Sequence, residues 1–305
     1  MQKPLEFYTA EKDFFEQEQK SLKKQLALSS SLRLLVFLTA VAGIYFFFGD
    51  AKVMIYIVVI AAVLFIYLLN KHAKLQYKSD LNKALLEINK TEIKVLNRDY
   101  FSLNSGTEFI NPAHPFSYDI DLFGKGSFFQ YANRTVTNEG RQEFFDLLTN
   151  NDILNIENKQ QSIQELGKKP KWRQQFSALA SLVKVEHPAK EIVNWIHNYK
   201  SVFPKFLSFL PTLFSIISLV FIVLIAMQMI ADQILLLWIF VGLGISGAYY
   251  NKVSELYKEA SNAKDTFKQY HKLLGEIETA SFESEILKEK QQEIQTESQK
   301  ASVIF

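Results

Sequence analysis

The chain has 305 residues, with 34 lysines and arginines, 32 aspartates and glutamates, and no cysteine. The lack of cysteine excludes disulfides, thiolate zinc sites and a cysteine nucleophile, and it suits a reducing cytoplasm. A net charge of +2 argues neither for nor against nucleic acid, and the length is sufficient for a membrane part with one or two soluble modules.

Residues 1–31 are polar and predict an N-terminal amphipathic helix on the cytoplasmic side of a membrane. The apolar side chains of this segment recur at helical spacing and include Phe14, Phe15, Leu22 and Leu26. We interpret these residues as the apolar side of a helix that lies at an interface.

Residues 32–70 predict a first transmembrane hairpin. Its apolar runs, Leu34 to Phe48 and Val53 to Leu69, contain no charged residue and flank a turn at Gly49–Lys52. A bilayer core of about 30 Å requires roughly 17 to 25 such residues in a helix. The first run is shorter than this, so we expect it to include Leu32 and Arg33, whose side chain would extend to the headgroups.

Residues 71–115 predict a cytoplasmic extension of the second membrane helix, followed by a loop that begins at Asp99. Residues 116–205 predict a soluble helical module. Its first helix follows Thr137, whose hydroxyl we expect to cap that helix. We predict a second helix from Ile153 to Leu166 and a third that starts near Trp172, after the break at Pro170.

Residues 206–250 predict a second transmembrane hairpin, with a turn at Asp232 and Gln233, and residues 251–305 predict long charged helices. The alternative is that both hairpins are buried in a large soluble core. We favour the membrane because soluble helices carry a polar face, and these apolar runs do not.

Lysine and arginine residues flank both hairpins on the side away from their turns, while the turns themselves contain only Lys52. The positive-inside rule therefore places both termini and the central segment in the cytoplasm and only the tight turns on the far side.

An ordered series of short motifs carries a resemblance. The motifs are Asp119-Ile-Asp121-Leu-Phe123-Gly124, Ser127-Phe-Phe129, Asn133-Arg134-Thr135-Val136-Thr137, Gly140-Arg141, and a helix that contains Lys159 and Gln160. The series resembles the start of the core, or lever, domain of the MutS family of DNA mismatch-repair ATPases. It is most similar to the membrane-associated MutS-like proteins of some bacteria. Lys159 stands where that family usually has arginine.

The resemblance implies a mainly α fold, in which four transmembrane helices in two hairpins join a cytoplasmic MutS-type helical lever or core module. It also implies a bacterial inner-membrane location, a homodimer, and an ATPase domain that uses ATP and Mg²⁺. The phosphate loop of such an ATPase does not occur in this sequence. We therefore expect that domain in a missing C-terminal part or on a separate chain, and we expect no catalytic, cofactor or metal residue in this one.

Within the resemblance, ten residues are expected to have structural roles: Asp119, Asp121, Asn133, Arg134, Thr135, Thr137, Gly140, Arg141, Lys159 and Gln160. From the residues themselves, the Arg134 guanidinium suits a carboxylate fork and could pair with Asp119 or Asp121. Because these pairs offer no convergent chemistry, we favour the interpretation that the segment holds a loop against a helix bundle.

A basic and aromatic cluster, consisting of Lys168, Lys169, Lys171 and Arg173 around Trp172, is the candidate nucleic-acid or phosphate contact. The competing interpretation is a solvated turn between helices, and we favour it. The resulting hypothesis is a membrane-tethered MutS-like protein with weak DNA binding. The alternative is a membrane scaffold or protein-docking module that does not contact DNA.

Overall fold

The computed structural model describes residues 3–150, 153–182, 197, 209–231 and 233–294. These residues are mainly helical and contain no β-strand, so the predicted fold class is confirmed at that level. The chain divides into two compact units. The first comprises Met1–Lys184 with Gln269–Phe305, and the second comprises Val185–Lys268.

Helices α1, Pro4–Phe46, and α2, Ala51–Leu96, form an antiparallel hairpin in the first unit. The chain has no glycine or proline between Leu5 and Ala42, so nothing in the sequence interrupts α1 between its polar and apolar parts. The predicted amphipathic helix is therefore the first half of α1 rather than a separate element.

The two ends of the hairpin are fixed in different ways. At the turn, the Asp50 side chain accepts hydrogen bonds from the backbone N–H groups of Lys52 and Val53 and caps α2. At the other end, polar side chains join the two helices. The Asn82 amide donates to the Gln19 side chain at 2.8 Å, and the Gln19 amide donates to the Ser79 hydroxyl at 2.9 Å.

Phenylalanine side chains form the core of the segment that follows α2. Buried Leu122, Phe123 and Phe129 are packed by Phe109, Phe116, Phe144, Phe145 and Leu148. This core lies between a 3₁₀ helix, Thr107–Phe109, and helices α3, Phe128–Ala132, and α4, Asn138–Thr149. The buried Gln130 amide donates to the carbonyls of Phe101 and Leu103 and thereby holds the loop.

Helices α5, Ile156–Gly167, and α6, Pro170–Ser181, follow close to their predicted positions. The third predicted helix begins at Pro170 itself, because proline fits the first turn, where no N–H is needed. The Gln174 amide donates to Asn89 Oδ1 at 2.9 Å and joins α6 to α2.

The second unit contains α7, Leu210–Ala226, and most of α8, Gln233–Thr279, of which the residues from Gln269 onward belong to the first unit. Phe214 of α7 stacks on Trp238 of α8 at 4.5 Å. The predicted turn residue Asp232 and the predicted helix start at Phe206 lie outside the described residues. A final helix, α9, spans Glu285–Ile294 in the first unit.

Three helices are long and apolar enough to cross a membrane, namely α1, α2 and the segment Gln233–Lys258 of α8. Their most apolar windows are 6 %, 0 % and 0 % buried within the protein. The alternative of hairpins buried in a soluble core therefore fails for these helices, and the protein is membrane-associated. The apolar helix Leu210–Ile225 is shorter than the other three.

Candidate functional site: the junction around Arg134 and Arg173

The turn before α4 is built by its own polar side chains. Asn133 Oδ1 accepts hydrogen bonds from the backbone N–H of Thr135 at 2.9 Å and from its hydroxyl at 2.7 Å. Thr137 Oγ1 accepts the backbone N–H of Gly140 at 3.0 Å. The predicted capping role of Thr137 is therefore confirmed.

Arg134 fixes this turn to α2. Its Nε donates to Glu92 Oε1 at 2.7 Å, and its Nη1 donates to the carbonyls of Tyr131 and Asn133. The expectation that Arg134 pairs with Asp119 or Asp121 is wrong. Those aspartates belong to an exposed turn in which Asp121 has a φ of 50°, whereas Glu92 is partly buried in the last turns of α2.

Arg134 and Arg173 line the same groove, which comprises two adjoining cavities of about 270 and 310 Å³. Both cavities are also lined by Val136 and Ser177, and the first extends to Tyr8 and Glu92. Burial raises the pKa of the Tyr8 phenol, and the Glu92 charge adds to that rise, while hydrogen bonding and the positive charge of Arg173 oppose it. The groove thus lies where α1, α2, α6 and the turn before α4 meet.

The four cations of the basic cluster occupy different environments. Lys169 Nζ lies 3.0 Å from Glu165 Oε1 and 5.2 Å from the centre of the Phe282 ring, and it donates to the Ser281 carbonyl. Lys171 Nζ lies 2.9 Å from Glu11 Oε1.

Arg173 lines the groove beside Tyr8, and Lys168 is exposed just after α5. Three of the four cations therefore have partners within the chain. This leaves less positive charge available to a phosphate backbone than the sequence suggests.

Glu165 of α5 caps α9. Its two carboxylate oxygens accept the backbone N–H groups of Glu283, at 2.9 Å, and Ser284, at 2.7 Å. Desolvation raises the pKa of Glu165. The hydrogen bonds from Ser284, Lys169 and Glu283 outweigh this effect and hold the pKa at about 2.

Gln291 joins α9 to the end of α8, because its amide donates to the carbonyls of Ile277 and Ala280. The Trp172 indole N–H donates to the Glu276 carbonyl at 3.3 Å. Sequence reasoning missed Glu165 and Gln291 because their partners are defined only by tertiary packing. Ser284 followed by Glu285 is the one local signal of the helix start.

The remaining predicted residues are spread over the first unit. The Arg141 guanidinium lies 3.4 Å from the Glu108 carboxylate and also donates to the Asn138 side chain. Lys159 and Gln160 lie on α5, beside Asn158, which donates to Glu285 of α9. Of the predicted residues, the structure brings Arg134, Thr135, Thr137, Gly140 and Arg173 together, since all five line the groove.

Within the part of the chain that the structure describes, no group of three or more His, Cys, Asp or Glu residues is arranged to hold a metal ion. The contacts at the groove and at Glu165 join helices and cap their ends, so the chemistry they offer is positioning. No protein-family model, curated protein or solved structure matches the chain.

Proposed function

We propose that this chain is the membrane-anchored helical part of a MutS-like protein, in which a helical lever is fixed to the bacterial inner membrane by two hairpins. The continuity of α2 is the observation that carries the proposal. This helix begins in an apolar segment suited to a bilayer and reaches Asn89, which bonds Gln174 of α6. A displacement of the anchored end is therefore transmitted to the soluble module through one unbroken helix.

The second hairpin, predicted at residues 206–250, completes four spans in this proposal, with α7 in the third span. The soluble parts face the cytoplasm because lysine and arginine flank the hairpins on that side. ATP and Mg²⁺ would be used by an ATPase domain outside this sequence or on a separate chain, and a homodimer follows from the same resemblance.

The MutS-like series supports the finer proposal of DNA handling. Its polar residues at 133–140 form the turn and cap that hold α4, and Arg134 ties that turn to α2. DNA binding by this chain is expected to be weak, independent of sequence and sensitive to salt, because Lys169, Lys171 and Arg173 already contact the protein.

Titration of fluorescent duplex DNA onto the full chain in detergent, at low and at physiological salt, tests the DNA proposal. We expect dissociation constants no tighter than about 10⁻⁶ M at physiological salt. The double variant Lys168→Glu, Lys171→Glu should weaken binding further. The matched control, Lys125→Glu with Lys288→Glu, changes the net charge equally at exposed sites outside the cluster.

The absence of binding by the wild-type chain at low salt would reject DNA handling by this chain. A sub-micromolar preference for mismatched over matched duplex would instead show that mismatch recognition is present. Thermal unfolding of the variants, measured in parallel, separates lost contacts from lost folding, since Lys171 also pairs with Glu11.

A membrane scaffold without DNA binding is the second candidate. Isoleucine side chains just before α5 and within it favour this candidate because they are exposed: Ile153 is 73 %, Ile156 is 47 % and Ile163 is 60 % accessible. Contiguous exposed apolar side chains are typical of protein-docking surfaces. A wild-type chain that stays anchored in membranes but does not bind DNA at low salt would favour this alternative.

A further inference from the structure

Arg33 lies on the face of α1 that meets α2, immediately before the apolar run. Ser29, one turn earlier, has its hydroxyl 3.3 Å from His72 Nδ1 of α2. Leu22, three turns before Arg33, is buried with 4 % of its surface exposed. Side chains four and eleven residues apart lie on the same helix face. The guanidinium is therefore held at the helix–helix contact rather than on an outer face of α1.

The hydrogen-bonding capacity of Arg33 is only partly used. Its Nη2 donates to the Ser30 hydroxyl at 3.1 Å. Its Nε is buried and has no hydrogen-bond partner among the described residues. Because Nε has no exposed surface, an external anion would have to accept from the Nη groups. A charged group whose donors are only partly paired favours such an anion.

Neither helix of the hairpin supplies that anion. The Ser29–His72 contact and the close approach of Gly43 to Ile57 set an antiparallel register in which Arg33 lies opposite Tyr67 and Leu68. The acidic residues of the hairpin that come nearest to this level, Glu18, Asp50 and Asp80, still lie far along the helices from it. At 1.5 Å per residue, each is displaced by about 18 Å or more along the axis.

Exposed lysines follow the apolar run of α2, on a face other than the one on which His72 contacts α1. Lys71, Lys74 and Lys78 recur at spacings of three and four residues, so they share one face, and all are exposed. Tyr67, 63 % exposed, lies on the same face one turn closer to the apolar segment. Tyrosine followed by lysine is typical of the level at which phospholipid headgroups lie.

We propose that Arg33 and Ser30 bind the phosphate group of an anionic phospholipid at the membrane boundary of the α1–α2 hairpin. The proposal rests on the anchoring of this hairpin in a bilayer, proposed above. The two terminal Nη groups of a guanidinium form a planar fork that matches two phosphate oxygens. A lipid is the expected source because Arg33 directly adjoins the apolar run, at the depth of headgroup phosphates.

The test uses the full chain in nanodiscs made either of phosphatidylcholine or of phosphatidylcholine and phosphatidylglycerol in equal parts. Native mass spectrometry counts the lipids that remain on the protein after the disc is dissociated. We expect the wild type to retain phosphatidylglycerol in preference to phosphatidylcholine. Arg33→Gln should reduce that retention about tenfold, because it removes hydrogen bonds to a charged group.

Two further variants make the result specific. Arg33→Lys keeps the charge but loses the fork, so its retention should fall between those of the wild type and Arg33→Gln. Lys125→Gln makes the same charge change on an exposed loop of the soluble module and should retain lipid as the wild type does. Unfolding temperatures in phosphatidylcholine discs, measured for all variants, exclude misfolding as the cause.

Three outcomes would overturn the proposal. Equal retention by Arg33→Gln and the wild type would show that Arg33 is not the site. Displacement of phosphatidylglycerol by millimolar inorganic phosphate would assign the site to the free ion. Extraction of the chain from membranes by alkaline carbonate would reject both the anchoring and the lipid site, whereas a retained chain without lipid preference would reject the lipid site only.

Discussion

At the scale of single residues, Gly106 shows how tightly the loop after α2 is fitted to the phenylalanine core. Its φ is +67°, and a Cβ added there would lie 2.6 Å from Cδ1 of Phe129, which is fully buried. Gly106→Ala should therefore destabilise the first unit by about 3 kcal/mol, from left-handed backbone strain together with overpacking. The thermal unfolding midpoint of the purified chain in detergent measures this.

Gly167→Ala is the matched control, because a Cβ at that position at the end of α5 would meet no atom within 4 Å. Its unfolding free energy should change by no more than about 0.5 kcal/mol. Equal midpoints for the two variants would contradict the account of Gly106.

Glu165 predicts a pH dependence of the α5–α9 joint. Its pKa is about 2 in the folded chain, below the ordinary value of 4.5. A carboxyl group with a lowered folded pKa stabilises the structure above its unfolded pKa, and this contribution is lost as the pH falls from about 5 toward 2. Hydrogen-exchange protection of the Glu283 and Ser284 amides should decline over that range.

Glu165→Gln should remove most of this pH-dependent protection, since the neutral amide has one acceptor oxygen and no charge. Glu289→Gln, at an exposed position of α9, is the control and should leave the profile as it is in the wild type. A pH profile that is identical in Glu165→Gln and the wild type would assign the protection to other groups.

At the scale of elements, a buried amide pair joins α2 to α6. Asn89 is 0 % and Gln174 is 6 % exposed, and the two side chains bond each other. Asn89→Leu leaves the Gln174 amide without this partner and should cost about 2 kcal/mol of unfolding free energy. The double variant Asn89→Leu, Gln174→Met removes both polar groups and should recover much of that loss.

A double-mutant cycle from urea unfolding measures the coupling between the two amides. We expect a coupling of about 1 to 2 kcal/mol, because residues that share a hydrogen bond are not additive. Strict additivity of the two single changes would mean that the pair does not hold α6 on α2. Ser181→Ala serves as a control for a change in α6, since among the described residues the Ser181 hydroxyl bonds the Ala178 carbonyl of its own helix and no other group.

At the scale of the whole molecule, the lysine and arginine distribution predicts the topology. The chain has no cysteine, so each introduced thiol is unique. Cysteines at Ala51 and Ala231, next to the two turns, should react with a membrane-impermeant maleimide in intact cells. Cysteines at Ser102 and Ser281, both exposed, should react only after permeabilisation. Labelling of the cysteine introduced at Ser102 in intact cells would contradict the proposed orientation.

Much of the fold could be predicted from the sequence, because the signals are local. The turn at Asp50, the cap at Thr137 and the helix start at Pro170 each depend on a side chain acting on its own backbone within a few residues. Arg134 could not be paired in this way. Its partner Glu92 lies 42 residues away on α2, whereas the aspartates that seemed suitable were closer in sequence only.

The sequence by itself determined that the protein is helical and membrane-associated, because an uninterrupted apolar run long enough for a bilayer requires no tertiary context. Only the tertiary structure decided which polar groups meet. It joined Asn89 to Gln174, set Glu165 against the amides of Glu283 and Ser284, and placed Arg33 at the contact between α1 and α2. The physical reason is that hydrogen bonds between distant residues depend on the register and packing of whole helices, which local patterns do not encode.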